Sequence, residues 1–137
     1  MRVVYFCLLI ITSSTWAQED KIEVPYKYVS YRINDKFYQF IKNRKKKVTI
    51  TKSCGLPDSK TYDRCDAIDA LNIANTKKLI KIDLIGGKNP GDILCKKYLN
   101  GTVVFGETAM KNPISFCRFS DGSMVSTGSI NYYSSMK

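Results

Sequence analysis

Four cysteines in the body of this 137-residue chain limit what it can fold into more than any other feature, because together they can staple a small core or hold a metal. Cys54, Cys65, Cys95 and Cys117 follow one another at spacings of 11, 30 and 22 residues, and a fifth, Cys7, lies in an apolar amino-terminal run. Which chemistry they serve depends on compartment and spacing.

The compartment is read from the amino terminus. Arg2 gives a short positive region, Val3 to Ile11 are unbroken apolar residues, and Thr15-Trp16-Ala17 places small residues where a signal peptidase cuts. Residues 1–17 are therefore expected to be a signal peptide cleaved after Ala17. Nine apolar residues fall short of the about 20 needed to cross a bilayer, and no later segment is apolar enough to span. Cys7 lacks the small residues that precede a lipid-acceptor cleavage point. Residues 18–137 are expected to form a single exported domain, periplasmic or secreted.

In an exported chain, an even set of four cysteines predicts two disulfides. Three pairings are possible, and the sequence alone does not choose among them. The expected pairs are Cys54 with Cys65, closing a turn-rich loop through Pro57, Asp58 and Ser59, and Cys95 with Cys117, tying a helix to a strand. Each would add about 3 kcal/mol in the chain-entropy view. A four-cysteine metal site needs close pairs that are missing here, and without Cys-x-x-Cys there is no thioredoxin-type motif. The chain has no histidine at all. That excludes Ser-His-Asp and Cys-His machinery and histidine-ligated metals, so no metal and no cofactor is expected.

Charge supplies the other constraint. The 22 basic and 12 acidic residues give +10; loss of Arg2 leaves +9 over residues 18–137. Five cations, Lys42, Arg44, Lys45, Lys46 and Lys47, fall within six residues. They form either a solvated loop that guards strand edges or a surface for an anionic partner such as lipid headgroups or envelope polymers. Tyr26, Tyr28, Tyr31 and Tyr38 imitate a base-stacking platform, but alternate tyrosines on strands usually pack. Export lowers the nucleic-acid option further, and no specific nucleic acid is expected as partner.

Periodicity predicts an α+β domain: a small antiparallel sheet with two short helices, stapled by two disulfides. Residues 18–88 are β-rich and basic. Tyr26 to Ile33 and Phe37 to Ile41 read as a hairpin around Asn34-Asp35-Lys36, and Val48 to Thr51 as a third, half-exposed strand. Ala67, Ala70, Leu71 and Ala74 recur at helical spacing, with Asp63, Asp66 and Asp69 near that helix's amino terminus. Ile80, Ile82 and Leu84 alternate as a strand ending at Gly86-Gly87. Asn89-Pro90 starts a second helix carrying Leu94, Cys95, Tyr98 and Leu99, and Asn100-Gly101 stops it with Gly in the left-handed region. Strands then follow at Thr102 to Phe105, Ile114 to Phe119 and around Met124-Val125, with a turn at Ser120 to Ser123.

In residues 89–133, Asn89-Pro90, Cys95, Asn100-Gly101, Phe116-Cys117-Arg118-Phe119-Ser120-Asp121-Gly122-Ser123 and Tyr132-Tyr133 occur in an order that resembles a family. It is the small exported bacterial domain of unknown function often labelled haemolysin. The resemblance implies a soluble periplasmic or secreted protein, and it implies no catalytic residues. No pore-length amphipathic helix and no barrel repeat is visible in the sequence.

These features point to a non-enzymatic envelope or secreted binding module that meets an anionic envelope component or another protein through the cationic run. A cationic membrane-active or haemolytic factor is the alternative. A histidine-free hydrolase would need a Ser/Lys pair or paired carboxylates, and the cluster Ser120, Asp121 and Ser123 reads more simply as a turn.

Overall fold

The computed structural model describes residues 26–55, 65–76 and 86–135. Residues 1–17, expected to be a signal peptide, the loop through Pro57 to Ser59, Asp63 and the strand expected at Ile80 to Leu84 lie outside them.

Alternating apolar residues set the first three strands. β1 (Tyr26–Ile33), β2 (Lys36–Asn43) and β3 (Val48–Thr51) form an antiparallel meander. The first turn holds only Asn34 and Asp35, both with positive φ, 47° and 61°. Two left-handed residues give the twist that a tight hairpin needs, and Asn and Asp tolerate it. After a 3₁₀ turn at Lys52–Cys54 come helices α1 (Asp66–Ala74) and α2 (Pro90–Lys97). β4 (Thr102–Glu107), β5 (Pro113–Arg118), β6 (Met124–Ser126) and a third helix, α3 (Thr127–Ser135), complete the chain.

The sheet is not open. Its strands close into a barrel in the order β1-β2-β3-β6-β5-β4. Two thin seams do this: β3 meets β6 through Ile50 and Val125, and β1 meets β4 through Arg32 with Glu107 and Ile33 with Gly106. Each is secured by side chains. Thr51 Oγ1 accepts from the Met124 N–H at 3.0 Å, and Arg32 pairs with Glu107. At Gly106 a Cβ would stand 2.6 Å from Ile33 Cγ1 and 2.8 Å from the Arg32 carbonyl, so the second seam closes only over a glycine.

Closure divides the apolar residues into two cores. Tyr31, Ile33, Phe40, Phe116 and Met124 fill the barrel, where the Phe40 and Phe116 rings meet at 4.6 Å between centroids. Ile41, Val48, Ile50, Cys117 and Val125 face outward and pack under the helices. β3 is therefore buried throughout rather than half-exposed: Val48 and Ile50 lie under the helices, while Thr49 and Thr51 point inward with their β2 partners Lys42 and Phe40. Of the four tyrosines that imitate a stacking platform, Tyr31 and Tyr38 pack with the barrel core.

The disulfides join Cys54 to Cys65 and Cys95 to Cys117, with Cα separations of 5.5 and 5.6 Å. The second does tie α2 to β5. α1 buries Ala67, Ala70, Leu71 and Ala74, the face the spacing predicts. At α2, Asn89 Oδ1 accepts from the Gly91 N–H at 2.9 Å, as the Asn-Pro start predicts. The stop differs from expectation: Asn100, not Gly101, is left-handed, at φ 54°. Gly101 is required for space, since a Cβ would overlap Cys117 Sγ and lie 2.9 Å from Cys95 Sγ.

Helix α3 is an addition to the expected two. Ser126 Oγ accepts from the Ser129 N–H at 3.2 Å and caps it. Ile130, Thr127 and Ser129 are buried. A polar knot fixes its start: Thr127 Oγ1 lies 2.5 Å from Ser115 Oγ and accepts from Asn89 Nδ2 at 3.3 Å, and Ser115 Oγ donates to Asp92 Oδ1. Among the described residues no helix is long and apolar enough to cross a membrane.

Candidate functional site: a cationic groove at one end of the barrel

The β2–β3 connection concentrates charge because its backbone is tight. Lys42 and Asn43 belong to β2, paired with Thr49 and Val48, so the hairpin tip is only Arg44 to Lys47. Asn43 Oδ1 accepts from the Lys46 N–H at 2.9 Å, the Lys47 N–H donates to the Arg44 carbonyl at 3.4 Å, and Lys47 is left-handed at φ 54°. This folding sends the five cations in different directions.

Lys42, Arg44 and Lys47 line one groove of about 590 Å³. It lies where β2 and β6 end and β3 and β5 begin, against the amino terminus of α3. Val48, Thr49, Ile114, Ser126, Gly128, Ser129 and Tyr132 complete its walls. Lys46 instead borders a smaller crevice of about 140 Å³, with Ile68, Leu71 and Tyr133. Burial pushes the Tyr133 hydroxyl above its ordinary pKa; nearby Lys46 pulls it down and Tyr132 pushes it up. Lys45 lines neither opening. Three of the five cations are thus brought together, and two are not.

The contribution of α3 to this groove is hard to foresee from the sequence. A Ser-Thr pair just before Gly128-Ser129-Ile130 is a helix-start signal, but a weak amphipathic pattern hides the helix that follows. With α3 in place, its first turn faces the cations, and the helix dipole adds positive potential there.

The Ser120-Asp121-Ser123 cluster does something else. Asp121 Oδ2 accepts from the Asp66 N–H at 2.8 Å, Ser123 Oγ accepts from the Ala67 N–H at 3.0 Å, and Ser120 Oγ donates to Asp66 Oδ2 at 3.1 Å. Cys65, at the cap position of α1, gives no side-chain bond. A turn 55 residues away in sequence therefore caps that helix. Burial raises the Asp121 pKa, but hydrogen bonds from the Ser123 side chain and from backbone amides outweigh it and hold the carboxyl below its ordinary value.

The family-like stretch is accounted for by the fold. Asn89 and Pro90 start α2, Cys95 and Cys117 bond to each other, Gly101 admits that disulfide, and Asp121 and Ser123 cap α1. The chain matches no protein-family model, no curated protein and no solved structure.

Proposed function

We propose that this protein is an exported, non-enzymatic binding module of the bacterial envelope or its surroundings, and that the barrel end bearing Lys42, Arg44 and Lys47 meets an anionic partner. The observation that carries the reading is the convergence of these three cations on one groove. Like charges at close quarters repel, which costs folding energy unless something offsets them. A fold that gathers them beside a helix amino terminus is arranged for an anion.

Export rests on the signal-like residues 1–17 and on the disulfide pairs, which persist in oxidising compartments. The likeness of Asn89 to Tyr133 to the exported family labelled haemolysin agrees with this destination. The non-enzymatic reading rests on the missing histidine and on the capping of α1 by Asp121 and Ser123, which ties up the Ser120-Asp121-Ser123 cluster.

Neutralising Lys42 and Arg44 to Lys47 together should abolish binding to isolated bacterial envelopes at low salt. Binding equal to that of the unaltered protein would return these residues to the role of a solvated loop.

A further inference from the structure

The groove holds more than positive charge. Asn43 is only 2% exposed, its carbonyl oxygen is taken by the Lys46 N–H, and its amide nitrogen has no partner among the described residues. Thr49 is 7% exposed, and its hydroxyl likewise has no partner among them, although its N–H donates to Ser129 Oγ at 3.0 Å. Both residues line the groove. Buried donors left unsatisfied cost about 1–3 kcal/mol each, so such groups are normally met by a ligand or water. At the rim, Gly128 occupies the first turn of α3, where an amide has no intrahelical acceptor, and nothing lies within 4 Å of where its Cβ would be.

Deepening the proposed reading, on which it rests, we infer that this groove is a binding site for a phosphate-bearing ligand. Its phosphoryl oxygens are met by Arg44, Lys42 and Lys47, the Gly128 N–H and the Thr49 hydroxyl, which points inward beside Lys42. A carboxylate presents two oxygens with about four acceptor sites and a single charge, fewer than these donors and three cations can use. A phosphate monoester presents three and carries up to two charges, and guanidinium and helix amino termini suit it. The groove, at about 590 Å³, is larger than a bare oxyanion, and Val48, Ile114 and half-exposed Tyr132 give it an apolar wall. The ligand therefore carries an organic group beside its phosphate.

The probes are inorganic phosphate, glycerol phosphate and vesicles containing phosphatidic acid, all with a terminal phosphate, titrated into the disulfide-bonded protein at constant ionic strength and followed by amide NMR. Saturable one-to-one shifts at Asn43, Thr49 and Gly128 are expected with both soluble phosphates, and chloride or acetate should not reproduce them. Vesicle binding that glycerol phosphate competes away would name a lipid headgroup as the source; binding of the soluble esters alone would name a free phosphate ester. Gly128→Asp puts a carboxylate into the groove in open space, at a helix position that favours acids. It should keep the melting temperature and weaken phosphate binding about tenfold or more. Met110→Asp adds the same charge at an exposed position outside the groove, and should bind like the unaltered protein.

Unsaturable shifts spread over Lys45, Lys96 and Lys97 would overturn the site, as would Gly128→Asp binding phosphate normally. If envelopes bind equally well to Gly128→Asp and to the unaltered protein, the phosphate site fails while the cationic-loop reading stands. If phosphate binds in the groove but envelopes do not bind, the site stands and that reading fails.

Discussion

Asp121 is the residue that shows most plainly how this fold is held. Its carboxylate takes the Asp66 N–H and both the N–H and hydroxyl of Ser123, joining the β5–β6 turn to α1. Asp121→Asn should lower stability by about 1 kcal/mol, the usual worth of a helix cap, read as a fall in melting temperature at neutral pH. The pH dependence has a definite sign. Because the folded pKa is depressed, the contribution is full above the ordinary value of 3.8 and is lost as pH falls below it through the folded pKa. The unaltered protein should therefore lose its advantage over Asp121→Asn below about pH 3.8, and a constant gap down to about pH 2 would contradict this. Gly91 is equally specific. A Cβ there would overlap the Thr127 carbonyl where α2 crosses the start of α3, so Gly91→Ala should cost about 1–3 kcal/mol as overpacking. An unchanged melting temperature would mean that the two helices can separate without loss.

At the scale of elements, the barrel's weak places are its seams. β3 and β6 share a single registered pair, backed by the Thr51 hydroxyl, which accepts from the Met124 N–H and also donates to the Met124 carbonyl at 3.3 Å. Thr51→Val keeps the shape and strands both backbone groups; it should cost about 1–3 kcal/mol. Hydrogen exchange should quicken in β3 and β6 before it does in the β1–β2 hairpin, and uniform acceleration would count against a seam. These same seams mark the limit of what the sequence shows. The β1–β2–β3 meander and the Ala67, Ala70, Leu71 and Ala74 face of α1 are legible because local alternation or helical spacing determines them. Barrel closure is not, since Ile33 with Gly106 and Ile50 with Val125 join residues more than 70 apart, and no local pattern records such a pairing. α3 escapes the pattern for a related reason: its buried Thr127 and Ser129 are polar residues satisfied by tertiary hydrogen bonds. At the α2 stop, the Asn-Gly pair does mark the end of the helix, but the left-handed role falls to Asn100, because Gly101 is held by contact with the disulfide.

For the whole molecule, the two disulfides carry stability that a chain with two small cores needs. They close loops of 11 and 22 residues, about 3 kcal/mol each. Replacing either pair with serines should lower unfolding free energy by about that amount, and replacing both should leave little against a typical total of about 5–15 kcal/mol. Denaturant midpoints check this, and a double replacement as stable as the unaltered protein would contradict it. Of the candidate site, the sequence shows the cations but not their division, which depends on the tight turn at Asn43 to Lys47 and on where α3 lies. Net charge and a shaped groove therefore make different forecasts, and one comparison separates them. Neutralise Lys42, Arg44 and Lys47 in one variant and Lys45 and Lys46 in another, then measure binding of each to isolated envelopes at fixed salt. A shaped groove predicts that the triple variant loses affinity about tenfold or more while the double variant stays within about threefold of the unaltered protein. Losses that simply scale with the number of charges removed would contradict it.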